Sequence, residues 1–111
     1  MKPYKFNLML DCHELIVDEM HSKIEITNAV FDEYFTFYSH ILIKFIKESD
    51  KKLVVNSTDI ITWEEGVIDS SMKKIQFGYS HNIPVGCNKI KVCIINRKAV
   101  DYKISIAIGL L

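Results

Sequence analysis

Apolar residues at every second position are the feature that most constrains the fold of this chain. The longest such run lies in EYFTFYSHILIKFIKES, where Phe35, Phe37, Ile41, Ile43 and Phe45 share one side. Successive side chains of an extended strand point to opposite faces of a sheet, so this spacing predicts a long strand with one buried face. The same spacing recurs in YKFNLML, SKIEITNAV, KKIQFGY, NKIKVCII and DYKISIAIGLL.

Short segments rich in turn-forming residues separate these runs. They are ESDKK, EEG, DSS, HNIPVG and NRKAVD. Seventeen isoleucines raise the strand propensity of the whole chain. When two sheets pack together, strands with one apolar and one polar face bury the apolar face and leave the polar face in water. We therefore predict an all-β fold. We expect a single domain over residues 1–111, an antiparallel β-sandwich of about eight strands.

The segment CHELIVDEMH, residues 12–21, departs from this alternation. Cys12, Leu15, Ile16 and Met20 have the spacing of one helix face, and Asp11 is placed to cap a helix. The pattern predicts one short helix near residues 12–21, between the first two strands. An irregular edge strand is the alternative.

The same segment is dense in residues that bind metals. The zinc-protease pattern His-Glu-x-x-His has Val17 in place of its second histidine. His13 and His21 are eight residues apart, so neither a helix nor a strand brings them together. We therefore predict no metal site and no cofactor.

The charge composition argues against nucleic acid as the partner. The chain has 14 basic and 14 acidic residues, and Arg97 is its one arginine. Binders of DNA or RNA usually carry a basic excess and use arginine for forked contacts. The charge is asymmetric, with −4 over residues 1–50 and +4 over residues 51–111. Either acidic and basic strands are neighbours within the domain, or copies pair head to tail.

The sequence begins without the apolar core of a secretory leader and has no apolar run of about 18 residues. We expect a cytoplasmic protein that does not bind membranes, with a virion or secreted assembly as the alternative. Richness in Ile, Lys and Asn with little Arg indicates AT-rich coding, typical of a low-GC bacterium or its phage. Free thiols are then expected at Cys12, Cys87 and Cys93, although Cys12 could pair with one of the others.

No catalytic motif stands out, so we predict that the protein is not an enzyme. The Ser-x-x-Lys match formed by Ser70 and Lys73 lies in an apparent loop and lacks the companion motifs of that enzyme class. The best ligand site by composition combines Trp63, Tyr79 and His81, which would suit a lectin-like carbohydrate site. The alternative is that Trp63 belongs to the core.

The strongest functional indication is an apolar stripe on the outer side of the longest strand. Tyr38, His40, Leu42 and Ile46 alternate with the residues predicted to face the core. A row of apolar residues on both faces of a strand indicates that something covers the second face. We therefore predict an interaction or assembly protein that binds a protein partner or itself through this stripe and an exposed sheet edge.

Overall fold

Two antiparallel sheets pack face to face in the computed structural model, which describes residues 1–7, 10–31, 39–49, 52–96 and 103–111. Sheet A has the spatial order β1 (Lys2–Asn7), β9 (Lys103–Leu110), β3 (Lys23–Phe31), β7 (Lys74–Asn82) and β6 (Val67–Asp69). Sheet B has the order β2 (Leu10–Ile16), β8 (Lys89–Asn96), β4 (Ser39–Ser49) and β5 (Lys52–Thr62). A 3-10 turn, Trp63–Glu65, leads from β5 into β6. The predicted all-β sandwich is confirmed.

The alternating apolar residues form the layer between the sheets, as the spacing predicts. Sheet A contributes Phe6, Ile24, Ile26, Ala29, Ile75, Phe77, Ile104, Ile106 and Ile108. Sheet B contributes Leu15, Ile41, Ile43, Phe45, Ile61, Ile90, Val92 and Ile94, and the residues that directly follow β2 and β5 add Val17 and Trp63. Each fully buried Ile or Phe stabilises the fold by about 1.5–3 kcal/mol relative to an exposed one, so this layer is the main source of stability.

The predicted helix near residues 12–21 is wrong. The chain there continues as strand β2 to Ile16 and then turns, and no α-helix occurs among the residues that the structure describes. Leu15 and Val17 face the core, whereas Ile16 between them is 71% exposed. Because Ile16 is apolar although it faces solvent, the apolar residues of this segment have the spacing of a helix face.

The expectation of free thiols is also wrong for two of the three cysteines. Cys12 of β2 lies directly opposite Cys93 of β8, and the two form a disulfide with 4.1 Å between their Cα atoms. Cys87 is free and buried. The pairing depends on the register of two strands far apart in sequence, which alternation alone does not reveal.

A β-bulge interrupts the pairing of β4 with β5. Phe45 lies opposite Ser57 and Ile46 lies opposite Val55, so one residue of β5 has no counterpart. The pairing of β4 with β8 continues through the same residues without a shift. The bulge therefore affects β5 alone, at the edge of sheet B.

Candidate interaction surface on sheet B

The outer face of sheet B, turned away from sheet A, carries a row of apolar residues that crosses four strands. Cys12, Cys93, Leu42 and Ile60 lie side by side in register. Ile95 belongs to the next row, beside His40. These six side chains, which we call the outer patch, include the disulfide, which lies at the β2 side of the patch.

Exposure within the outer patch is uneven. Ile60 is 51% exposed and Cys93 only 3%, while Cys12, Leu42 and Ile95 are intermediate. The strands of the described residues all belong to the two sheets, and sheet A packs on the opposite face of sheet B. The outer patch is therefore an apolar surface that is most exposed at Ile60, on the edge strand β5.

The predicted stripe is partly on this surface. His40 and Leu42 are half-buried members of the outer patch. Ile46 lies two rows further along, in register with Lys89, and is 3% exposed, so it offers almost no surface to a partner. Tyr38 lies outside the described residues.

A charged row separates the outer patch from Ile46. Glu14, Lys91 and Lys44 lie in register across β2, β8 and β4. Lys89, in the row beyond, contacts Glu48 with 2.7 Å between nitrogen and oxygen and Glu14 with 3.7 Å. The hydrogen bond with Glu48, and then the negative charge of Glu14, raises the pKa of Lys89. The two rows of the outer patch are therefore followed by one charged row and then by a row that combines Ile46 with Lys89.

Trp63 has no exposed face that could stack on a ligand. Its side chain is 2% exposed, packs at 6.0 Å from Phe77 and donates an indole hydrogen bond to Ser39 at 2.9 Å. Trp63 is a core residue, as the alternative interpretation of the sequence holds.

Tyr79 and His81 lie together, with their ring centroids 6.4 Å apart. The Tyr79 hydroxyl donates a hydrogen bond to Asp59 Oδ2 at 2.8 Å, which links β7 of sheet A to β5 of sheet B. Burial, together with the hydrogen bond and charge of Asp59, raises the pKa of Tyr79. The His81 ring stacks on Phe45 at 4.9 Å. These contacts join the two sheets near the β5 edge.

The two histidines of residues 12–21 contact different parts of the sandwich. His13 contacts the rings of Tyr4 and Phe6 and the main-chain carbonyl of Lys5, so it joins the β1 and β2 sides of the sandwich. His21 lies 3.5 Å from the Asp18 carboxylate in the following turn. Within the described ranges, no group of three or more His, Cys, Asp or Glu residues is arranged to hold a metal.

The residues of the outer patch that the prediction missed are Cys12, Cys93, Ile60 and Ile95. For two of them, Cys93 and Ile95, the sequence does indicate an outward position. With Ile90, Val92 and Ile94 facing the core, Cys93 and Ile95 must face outward. Ile60 gave no such signal, because its neighbour Ile61 is equally apolar and only the structure shows which one is buried.

The chain matches no protein-family model, and no curated protein shows significant sequence similarity to it. None of the described residues forms a helix with the length and apolar character needed to cross a membrane.

Proposed function

We propose that this protein is a non-catalytic interaction or assembly module. It associates, with a copy of itself or another protein, through the outer patch of sheet B and an adjoining sheet edge. The observation that carries the proposal is the apolar row across all four strands of sheet B. Contiguous apolar surface rimmed by charge is typical of protein contacts, and the Lys and Glu side chains beside the patch provide such a rim.

The disulfide makes the outer patch more rigid than an ordinary sheet face. Cys12 and Cys93 join the edge strand β2 covalently to β8, at one end of the apolar row. A surface that is already ordered loses less conformational entropy on binding. Disulfides persist in oxidising compartments, so this bond favours a virion or secreted assembly, of a low-GC bacterium or phage, over a reducing cytosol.

Self-association is tested by light scattering on purified protein from micromolar to millimolar concentration. We expect the mean mass to rise with concentration and Leu42→Lys to abolish the rise, because it places a charge in the apolar row. The matched control is Gln76→Lys, which adds the same charge at an exposed position of sheet A. A wild-type protein that stays monomeric throughout would overturn the self-association form of the proposal.

A carbohydrate site built on Trp63, Tyr79 and His81 is not proposed. Tyr79 and His81 are close together, but the Trp63 ring is enclosed by the core. Stacking on a sugar needs an open aromatic face, and the largest of the three rings has none.

A further inference from the structure

Two lysines of the charged row beside the outer patch, Lys44 of β4 and Lys91 of β8, lie directly opposite each other and are half-buried. Like charges directly opposite each other destabilise a strand pair. The nearby acids Glu14 and Glu48 both contact Lys89. Neither lysine of the opposed pair forms an ion pair with a described residue. This part of the outer face therefore presents two ammonium groups that the carboxylates of a second molecule would stabilise.

A complementary surface lies at the edge of sheet A, on the segment that leads into β6. Glu64 and Glu65, in the 3-10 turn, are exposed, and neither forms an ion pair with a described residue. Val67 and Ile68 follow them and are 72% and 41% exposed. We call residues 64–68 the acidic edge. It joins two carboxylates to two exposed apolar side chains, as the outer face of sheet B joins two lysines to an apolar row.

No basic residue adjoins the acidic edge in the sequence. Residues 53–72 contain no Lys or Arg. In sheet A, Lys74 lies opposite Asp69, at the end of β6 that is away from Glu65. The two carboxylates are therefore open to lysines of another molecule.

The turn after β2 is a weaker counterpart for the two lysines. Glu19 and Met20 are exposed there. The Asp18 carboxylate is already engaged, since it accepts the amide hydrogen of Met20 at 2.8 Å and lies 3.5 Å from His21. This turn therefore offers one carboxylate where the acidic edge offers two.

The spacing between charged and apolar groups agrees between the two surfaces. Gly66, between Glu65 and Val67, has extended backbone with φ −101° and ψ 163°. Lys44 and Leu42 are likewise two residues apart, on strand β4. Because two residues of extended chain span about 7 Å, one acidic edge can place a carboxylate near Lys44 and Val67 near Leu42 together.

Two copies of the outer patch fit each other less well. A two-fold axis along the strands, centred between β8 and β4, would lay Lys44 of one copy over Lys91 of the other. A two-fold axis across the strands, along the row of Leu42, would lay the same lysines over His40 and Ile95. Neither symmetric contact gives the lysines a carboxylate.

We propose that the outer patch of one copy binds the acidic edge of a second copy, with Glu64 and Glu65 beside Lys44 and Lys91. This inference rests on the proposed function and names the second surface of its self-association. The patch belongs to sheet B and the edge to sheet A, so each bound pair keeps one free patch and one free edge. Contacts of this head-to-tail kind produce a ring or an open chain of copies rather than a closed dimer.

Two charge-reversed variants of the full chain test the contact by light scattering. The face variant carries Lys44→Glu and Lys91→Glu, and the edge variant carries Glu64→Lys and Glu65→Lys. Each variant alone has like charges on its patch and its edge, so we expect each to need at least about tenfold more protein than wild type to assemble, which corresponds to about 1.4 kcal/mol per contact. The matched control Glu19→Lys reverses an exposed acid elsewhere and is expected to assemble like wild type.

An equimolar mixture of the two variants is expected to recover assembly. The acidic patch of the face variant then meets the basic edge of the edge variant, and the other two surfaces form the wild-type contact. Recovery also shows that both variants are folded. A mixture of two folded variants that stays monomeric would overturn the inference.

The salt dependence of wild-type assembly provides a test that needs no variant. We expect assembly to weaken as the salt concentration rises from about 0.01 to 1 M, because the Debye length falls from about 30 to 3 Å. Assembly that is unchanged or strengthened by salt would refute a contact between lysines and carboxylates.

The same measurements separate this inference from the proposed function. If Leu42→Lys abolishes assembly but the edge variant assembles like wild type, the acidic edge is refuted and the outer patch remains supported. A wild-type mass that stops at a dimer also refutes the head-to-tail contact and leaves the patch supported. A wild-type protein that stays monomeric refutes the inference together with the self-association form of the function, and leaves a different protein as the partner of the patch.

Discussion

At the scale of single residues, Asp59 accepts two hydrogen bonds from different parts of the sandwich. One carboxylate oxygen accepts the outward amide of Ile60 on the β5 edge, and the other accepts the Tyr79 hydroxyl from sheet A. The same side chain therefore satisfies a main-chain amide at the sheet edge and connects the two sheets. Substitution of Asp59 would loosen the contact between sheets and expose an edge amide at once.

The raised pKa of Tyr79 gives this contact a pH dependence. Tyrosine in the unfolded chain loses its proton near pH 10.0. Because burial and the Asp59 hydrogen bond keep Tyr79 protonated in the folded chain, its contribution to stability is fully present below pH 10.0. It falls as the pH rises towards the higher folded pKa.

We therefore predict that Tyr79→Phe costs stability at neutral pH and that its difference from wild type shrinks above pH 10. Phenylalanine keeps the packing but has no hydroxyl to donate and none to ionise. The expected cost at neutral pH is about 0.5–1.5 kcal/mol, typical of one hydrogen bond. Urea unfolding of both proteins across the alkaline range measures the difference. An unchanged difference up to pH 11 would contradict the assignment.

At the scale of elements, the passage from sheet B to sheet A depends on close packing at Gly66. This residue follows the 3-10 turn and precedes β6. A Cβ at this position would lie 2.4 Å from the Ile75 side chain and 2.9 Å from both the Gln76 carbonyl oxygen and the Phe77 ring. The crossover needs a residue without a side chain.

Gly66→Ala is predicted to destabilise the fold by about 1–3 kcal/mol, the usual cost of overpacking. Gly78→Ala is the matched control, since a Cβ there meets nothing within 4 Å. We expect that change to stay within about 0.5 kcal/mol of wild type. Guanidinium unfolding midpoints compare the two directly, and equal midpoints would argue against a close approach at Gly66.

Most strands were predictable because burial on one face leaves a period-two signature that needs no knowledge of neighbours. The β2 segment was not, since Ile16 is apolar yet exposed and Cys12 is held by a bond to a distant strand. The sequence prediction named only His40 and Leu42 of the outer patch, although the alternation in β8 also places Cys93 and Ile95 on an outer face. That these residues lie beside Cys12 and Ile60 depends on the lateral order of the strands, which the alternation does not specify.

At the scale of the whole molecule, the Cys12–Cys93 bond closes a loop of 81 residues. It ties the second strand along the chain to the eighth, so most of the sandwich lies within the closed loop. A cross-link over so long a segment restricts the unfolded chain far more than the folded one. Stability should therefore depend on the redox state.

Reduction is predicted to lower the free energy of unfolding by about 2–4 kcal/mol. Guanidinium unfolding with and without reductant measures this change, and Cys87→Ser in the background removes the free thiol from the comparison. A thiol assay of the denatured wild-type protein should find one reactive group before reduction and three afterwards. Three before reduction would show that the bond is absent.

The charged row beside the outer patch also limits how a second surface could shift along the strands of sheet B. Rows on one face are spaced by about 7 Å, two residues of an extended strand. A surface displaced by one row towards the charged row would place its apolar side chains over Lys44 and Lys91. Such a displacement would cost free energy, because it covers two lysines without pairing them, so the charged row would fix the position of a bound partner along the strands.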